Sequence, residues 1–305
     1  MGLSLAAQPV PLTSDADAKV RDDARELLDR VNKTPSSNRS SASSRTNSVS
    51  GALAAETTQP GTTRIMGGDS GGTIAIRDGR TIETSTSLPS VDELLARYVE
   101  ATGGEKAILA INTRIMKGTV DVAGMSRGGT FESYSQAPNR LLVLLDAHPF
   151  GLTKTGYNGK VAWSWSKAGT KIVNAPVEVA QYEREADIYE PVGLKKKYAK
   201  IVLAGTSQIG YRDVYVLDLQ PTVGPAERLY LDVKTYLPVR INKVQKFGNI
   251  VAPVEIYVDD WRTVDDIKLP FSLTETAGKL SMSFTITEIR HNAPIDPSLF
   301  EPPKR

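Results

Sequence analysis

The feature that most constrains this chain is an alternation of apolar and polar residues that recurs from Thr113 to the C-terminus. In the segment LSMSFTIT, residues 280–287, large apolar residues alternate with serine and threonine. Successive side chains of a strand point to opposite faces of a sheet, so this period of two predicts strands with one apolar face. The segment KVAWSWS repeats the pattern at 160–166, and further runs lie near 114–123, 129–136, 139–145, 152–157, 200–207, 213–220, 227–233, 237–247, 254–262 and 267–274.

The connections between these runs are short. Asn158-Gly159 and Gly210 mark tight turns between neighbouring runs. A parallel crossover needs a much longer connection, so short turns favour antiparallel neighbours. The sequence therefore predicts an α+β fold built on one large, curved antiparallel sheet. Its serine- and threonine-rich face meets water, and its apolar face needs a cover.

Two segments offer helices that can supply this cover. The first, LPSVDELLARYVEATGG, has a capping box of Ser90 and Glu93, and Gly103-Gly104 ends the helix. Its apolar stripe consists of Val91, Leu94, Leu95, Tyr98 and Val99. The second segment, near 177–198, interrupts the strand pattern. We expect residues 91–111 and 177–198 to pack into the concavity of the sheet.

These helices are few for so wide a sheet. A sheet that helices cover incompletely leaves an apolar cavity, and cavities of this kind hold apolar ligands. Small barrels are also often packed full of side chains. From the pattern of residues alone, an open cavity and a filled core remain alternatives.

Several segments together resemble the LolA/LolB-like family of outer-membrane lipoprotein-sorting proteins over residues 88–305. They are LPSVDELLARYVEATGGEKAI, GTFESYSQAPNRLLVLL, GYNGKVAWS, YLDVKTYLPVRI, VEIYVDDWRTVDDIKLPFSLTET and FTITEIRHNAPIDPSLFEPP. The block from Tyr257 to Phe271 is the most specific part. It departs from the family pattern at Asp266, where glycine is common, so the geometry of that turn is in question.

The resemblance implies a half-barrel of about 11 strands, with helices in its concave face and a cavity that receives acyl chains. It implies a non-enzymatic carrier of lipid or lipoprotein in the bacterial periplasm, without a cofactor or a metal. An interaction or sensory domain with a filled cavity, which binds another envelope protein, is the alternative. The expected cavity residues are Phe131, Trp163, Trp165, Ile256, Val258, Met282 and Phe284.

Composition narrows the classes of partner. The formal net charge is +2, which gives no reason to expect a nucleic acid. The longest aliphatic run, LLVLL at 141–145, is far shorter than a membrane-spanning helix. The chain has no cysteine, so it lacks the lipidated cysteine of the membrane-anchored LolB type. Within the family, a soluble carrier or sensor of the LolA type is the better match.

Residues 1–87 differ in character from the rest of the chain. The tract at 34–50 is rich in serine and is expected to be disordered. A short charged helix is predicted at 15–32, and a hairpin around Asp78-Gly79. The start, MGLSLAAQPV, has only part of a signal-peptide pattern. The stretch GGDSGGT resembles a serine protease loop, but both histidines come after Ser70, so a glycine-rich turn is the better interpretation.

Several other polar residues are candidates for enzymatic or metal-binding groups. His148 and His291 have no metal-ligand neighbour in sequence and are interpreted as surface or structural groups. The pairs Asp259-Asp260 and Asp265-Asp266 are interpreted as solvated turn charges rather than an acid/base pair or a calcium site. The run of three lysines at 195–197 is interpreted as a solvated face, with anionic headgroups as a possible partner.

Overall fold

A computed structural model describes residues 88–247 and 250–304, together with the backbone of four short strands between residues 56 and 84. The chain divides into two compact units, of which the larger contains Ser90–Arg305 and the smaller is Pro35–Pro89. The larger unit is built on a single antiparallel sheet of thirteen strands, two more than the half-barrel of about 11 strands that the resemblance implied.

The strands of the large sheet follow the runs that alternation predicted. They are β5 (Thr113–Val122), β6 (Gly129–Gln136), β7 (Arg140–Ala147), β8 (Gly151–Tyr157), β9 (Ala162–Ser166), β10 (Gly169–Val173), β11 (Tyr198–Ile209), β12 (Arg212–Pro221), β13 (Glu227–Asp232), β14 (Pro238–Phe247), β15 (Ile250–Val264), β16 (Ile267–Ala277) and β17 (Leu280–His291). Only β10 was not predicted as a separate strand.

The order of the strands across the sheet is β10-β9-β8-β7-β6-β5-β17-β16-β15-β14-β13-β12-β11. Every pair except β5 with β17 joins strands that are consecutive in the chain. The last strand therefore returns to the middle of the sheet, where His291 is the cross-strand partner of Arg114. The sheet is curled and open, and β10 and β11 form its two edges.

The turn between β15 and β16 explains the departure at Asp266. Val264 and Ile267 are cross-strand partners, so Asp265 and Asp266 form a two-residue loop. Their φ angles are 48° and 63°. Two consecutive positive φ values are what a tight type I′ hairpin requires, and aspartate tolerates them better than most residues. The turn forms with aspartate at the position where glycine is common.

The first predicted helix begins and ends where the sequence indicates. Helix α1 spans Val91–Thr102, and its capping box is complete: Ser90 N–H donates to Glu93 Oε2 at 2.8 Å, and Glu93 N–H donates to Ser90 Oγ at 3.2 Å. Gly103 ends it with φ 134°. The segment 91–111 is therefore not one helix, because a separate short helix, α2 (Glu105–Leu109), follows Gly104.

The second helical segment contains two helices. Helix α3 spans Pro176–Ala186 and α4 spans Glu190–Lys197. Neither has a side-chain cap at its N-terminus, in contrast to α1. Both have a proline in the first turn, where its fixed φ suits the helix and its missing N–H removes one donor that would lack an intrahelical acceptor.

The helices lie on the concave face of the sheet, hereafter the inner face. Leu217, Leu229, Ile241 and Ile256 are successive cross-strand partners from β12 to β15 and share that face. Helix α1 packs Tyr98 and its neighbours against the leucines of this row. Helix α3 buries its apolar residues in the cluster that contains Ile256.

The opposite, outer face has its own cover. A 3-10 helix, Pro297–Phe300, lies against β7. Phe300 is fully buried in a small cluster with Leu142 and Trp163. Leu141 and Val143 belong instead to the large inner cluster, so neighbouring residues of β7 are buried on both sides of the sheet. The sequence predicted a solvated outer face, and this part of it is apolar and covered.

The smaller unit contains four short antiparallel strands in the order β1-β2-β3-β4, with bounds Glu56–Thr57, Thr63–Ile65, Thr73–Arg77 and Arg80–Thr84. In β3 and β4, Arg77 is the partner of Arg80, where the sequence predicts the hairpin. The predicted helix at 15–32, the serine-rich tract, the start of the chain and Ser70 lie outside the described residues. Within the described residues, no helix is long and apolar enough to cross a bilayer.

Candidate functional site: an apolar inner face and a cavity beside it

Five of the seven predicted cavity residues lie together on the inner face. Phe131, Ile256, Val258, Met282 and Phe284 belong to one apolar cluster, and each is at most 5% exposed. The rings of Phe131 and Phe284 meet edge to face, with centroids 5.4 Å apart. This geometry is favourable for aromatic pairs. These five side chains therefore touch protein atoms on almost all sides.

The other two predicted residues, Trp163 and Trp165, are separated from this set. Trp163 packs against Phe300 on the outer face, and its indole N–H donates to the Phe300 carbonyl at 2.8 Å. Trp165 packs partly buried against the same outer cluster. The ring of Trp163 lies directly over Gly156, in space that a Cβ atom would occupy. The expectation that both tryptophans face the concavity with Phe131 does not match this placement.

The reason for this difference is the parity of β9. Ala162 belongs to the inner cluster, and the next residue of a strand points to the other face. The alternation in KVAWSWS identifies the two tryptophans as sharing one face, but it does not say which face that is. Their outer position depends on Phe300, which lies far away in sequence and was not singled out.

A partly open cavity of about 580 Å³ lies beside the apolar cluster, and helices α3 and α4 supply much of its lining. This volume is within the range of sites for small molecules. None of the seven predicted residues lines it. The lining residues come from the end of α2, the β6–β7 turn, α3, α4 and the β12–β13 loop: Leu109, Pro138, Asn139, Ala180, Glu183, Arg184, Asp187, Tyr189, Val192, Gly193, Lys196, Lys197, Thr222 and Val223.

The cavity has an apolar wall and a charged rim. Tyr189 and Val192 line it and also pack against the inner apolar cluster, so the cavity wall continues into that cluster. On the rim, Arg184 donates to Glu227 Oε1 at 2.9 Å, and both side chains are 12% exposed. Lys197 is paired with Asp187. Apolar residues beside five charged lining residues suit an amphiphilic molecule.

A second ion pair ties α3 to the sheet. Lys243 of β14 lies on the inner face, and its Nζ is 2.6 Å from Glu185 Oε1 of α3. The two side chains are 7% and 18% exposed. Nearby on α3, the hydroxyl of Tyr182 is buried and has no hydrogen-bond partner within the described part of the chain. Burial, reinforced by the negative charges of Glu185 and Glu178, raises the pKa of Tyr182, so it stays neutral.

His291 has a structural role in the interior. Its ring is 1% exposed; Nε2 accepts a hydrogen bond from Arg114 Nε at 3.1 Å, and Nδ1 lies 3.1 Å from Asp265 Oδ2. Burial, followed by the positive charge of Arg114, lowers the pKa of His291, and Asp265 only partly opposes the shift. A neutral ring that donates from Nδ1 and accepts at Nε2 satisfies both partners. No local sequence pattern singles out Arg114.

The remaining polar candidates are Asp259-Asp260 and the three consecutive lysines at 195–197. Asp259 is paired with Arg212 at 2.8 Å, and Asp260 with Arg262 at 2.6 Å. Of the three consecutive lysines, Lys195 pairs with Asp92, whereas the other two line the cavity. In the described residues, no group of three or more histidine, aspartate or glutamate side chains is arranged to hold a metal ion.

An open, curled antiparallel sheet with helices on its concave face and an apolar interior is a LolA-like fold. No family model and no curated protein matches the sequence. Similar solved structures do exist. A DUF1329 family protein from Desulfovibrio piger has 12% identity and a TM-score of 0.49, over 70% of this chain and 98% of that one.

Two further similar structures belong to the group that the sequence resembles. A LolA superfamily protein from Nitrosomonas europaea has 9% identity and a TM-score of 0.49, over 70% of this chain and 98% of that one. A domain assigned to the outer membrane lipoprotein-sorting proteins, from Vibrio parahaemolyticus, has 12% identity and a TM-score of 0.44, over 67% and 93%. At such identities the likeness concerns the fold alone.

Proposed function

We propose that this protein binds the acyl chain of a lipid or lipoprotein reversibly and without covalent chemistry, in the periplasm of a bacterium. The observation that carries the proposal is the cavity of about 580 Å³, whose apolar wall continues through Tyr189 and Val192 into the inner apolar cluster. An acyl chain bound there is shielded from water on the side that faces the sheet.

Burial of an acyl chain supplies enough hydrophobic free energy for micromolar binding. Each methylene taken out of water contributes about 0.8 kcal/mol, so a long acyl chain contributes on the order of 10 kcal/mol before losses. Association and ordering of the chain offset part of this. Micromolar affinity is therefore physically reasonable, and it is compatible with release to a partner.

Entry of a longer chain requires α3 and α4 to move. These two helices line the cavity, lack side-chain caps and are connected to neighbouring elements by the mostly buried ion pairs Arg184–Glu227 and Lys243–Glu185. Breaking such pairs is costly, so in this proposal the helices move only when burial of the acyl chain compensates for the loss. The tightly capped α1 remains in place in this scheme.

The test is isothermal titration of the full chain with a fatty acid or a diacylated lipopeptide. Ala180 of α3 lines the cavity, and Ala180→Trp fills it. We expect this variant to lose about tenfold or more in affinity, which corresponds to about 1.4 kcal/mol. The matched control is Val177→Trp on the same helix, because Val177 is 46% exposed and does not line the cavity. Equal affinities of the two variants would argue against this cavity as the site.

A second candidate function is an interaction or sensory domain. The observation that favours it is the dense packing of the inner face, where Phe131 and Phe284 are each 1% exposed. In that case a folded protein shows no saturable binding of either lipid, and its ligand is another envelope protein that contacts the surface. The same titration distinguishes the two functions.

A further inference from the structure

We propose that the cavity selects an amphiphile with a zwitterionic head, in which Lys196 of α4 binds the phosphate and Glu183 of α3 binds the ammonium group. This inference rests on the proposed function and adds the class of lipid to it, a phospholipid with a head of the phosphoethanolamine type. Both residues line the cavity.

Helices α3 and α4 each direct one face at the cavity. On α3 and its C-terminal cap, the lining residues follow the spacing i, i+3, i+4 and i+7 of a single helical face: Ala180, Glu183, Arg184 and Asp187. On α4 they recur after one turn: Val192, Gly193, Lys196 and Lys197. The charged side chains of both helices are therefore presented to the same space.

Three of the five charged lining residues are already matched by protein groups. Arg184 pairs with Glu227 at 2.9 Å, and Lys197 pairs with Asp187. Arg184 also donates to the carbonyl oxygens of Ala180 at 3.2 Å and Val223 at 2.9 Å. These contacts hold the three charges in place and leave them little attraction for a ligand.

The other two charged lining residues, Lys196 and Glu183, have opposite signs. Both are exposed, and within the described part of the chain neither forms an ion pair. The neighbouring Lys195, by contrast, is paired with Asp92. One unmatched cation and one unmatched anion complement a zwitterion, whereas a purely anionic head meets the like charge of Glu183.

The ion pair of Asp187 and Lys197 keeps the two unmatched charges close to each other. Glu183 precedes Asp187 by four residues, so their Cβ atoms are about 6 Å apart on one face of α3. Lys196 is next to Lys197 in the chain. The helices also approach closely here, because a Cβ atom added to Gly193 would lie 3.1 Å from Asp187 Oδ2. The flexible side chains of Glu183 and Lys196 can therefore reach the two ends of one small head.

Apolar surface for the tail lies in the same cavity. Leu109 is 45% exposed and Val223 is 40% exposed, and both line the cavity. Tyr189 and Val192 line it as well and are partly buried. An acyl chain that covers these side chains removes their apolar surface from water. Head and tail thus contact residues that line one cavity.

The experiment compares three probes with the same acyl chain. Myristoyl-lysophosphatidylethanolamine is zwitterionic, myristoyl-lysophosphatidylglycerol is anionic and monomyristoylglycerol is uncharged. Each is titrated calorimetrically into the full chain below its critical micelle concentration. Exposed charge pairs are weak, so we expect the zwitterion to bind about threefold to fivefold more tightly than either other probe. High salt should reduce this preference, because it screens exposed charges.

Two variants assign the preference to the two side chains. In Glu183→Gln, affinity for the zwitterion should fall and affinity for the anionic probe should rise, until the two are about equal. In Lys196→Gln, both phosphate-bearing probes should bind more weakly. Affinity for the uncharged probe should stay the same in both variants. Since both residues are exposed, both variants should fold.

The matched controls are Glu178→Gln on α3 and Lys195→Gln on α4. Each makes the same change of charge on the same helix, and neither residue lines the cavity. Both controls should keep the preference for the zwitterion. A loss of preference in the controls as large as in the cavity variants would mean that the general field of the helices is responsible, and would overturn the inference.

Equal binding of all three probes by the unchanged protein, or tightest binding of the anionic probe, also overturns the inference and leaves acyl-chain binding standing. If the folded protein binds none of the three probes, the proposed function itself fails.

Discussion

Lys243 of β14 and Glu185 of α3 form an ion pair of 2.6 Å that joins the inner face of the sheet to the helix above it. Both partners are mostly buried, and Glu185 Oε1 also accepts a hydrogen bond from Gln181 at 3.0 Å. The pair therefore links the sheet directly to a helix whose residues line the cavity.

Breaking this pair should destabilise the protein strongly. Lys243→Met leaves Glu185 buried without its cation, so we expect a loss of about 3 kcal/mol in the free energy of unfolding in urea. The double variant with Glu185→Met should lose less than the single variant, because no charge is left unpaired. A control is Lys117→Met in the exposed pair with Glu132, where we expect a change below about 1 kcal/mol. A double variant less stable than either single variant would contradict this account.

The stability of the fold should depend on His291 below about neutral pH. The folded-state pKa of His291 is lowered from 6.5 by burial and by Arg114. The unfolded chain therefore binds the proton more readily, and stability is lost as pH falls through 6.5 toward the folded-state value. Above that range the contribution is complete.

Urea unfolding at a series of pH values from 8 downward checks this expectation. His291→Gln removes the titrating ring, so its stability should change less over that window than that of the unchanged protein. All other side chains are the same in both proteins, so their contributions cancel in the comparison. Parallel stability curves for the two proteins would show that His291 is not the group responsible.

The 3-10 helix Pro297–Phe300 should contribute to the stability of the protein by covering Trp163 and Leu142 on the outer face. Phe300 is fully buried against Trp163. Phe300→Ala should cost about 3 to 5 kcal/mol, because it leaves a cavity and exposes the indole. Tryptophan fluorescence should shift to longer wavelength. The neighbouring Leu299 is 43% exposed, so Leu299→Ala serves as the control and should change neither property appreciably. Unchanged emission in Phe300→Ala would place Trp163 in a different environment.

Much of the fold can be predicted from local pattern alone. The period of two located almost every strand, because burial of one face requires it. The Ser90 and Glu93 capping box and Gly103 located the ends of α1 for equally local reasons. The strand β10 was missed because Gly169–Val173 is short and only its last residue is buried, so it carries no apolar alternation.

The candidate site is harder to predict from the sequence than the fold is. Alternation groups side chains by face but does not orient the face, and the two tryptophans show this limit. The contact between Arg114 and His291 joins residues 177 positions apart. It exists only because β17 pairs with β5, which no local pattern reveals. The cavity in turn depends on how α3 and α4 lie over the sheet.

The two edges of the sheet, β10 and β11, lie at opposite ends of the strand order. A closed barrel has a circumference set by its number of strands and their stagger. Here no hydrogen-bonded ring of that kind fixes the circumference in the described part of the chain. The curl can therefore tighten or relax while every ladder between neighbouring strands stays intact. A change in the curl alters the volume that the inner face encloses, which is the change that the proposed binding of an acyl chain requires.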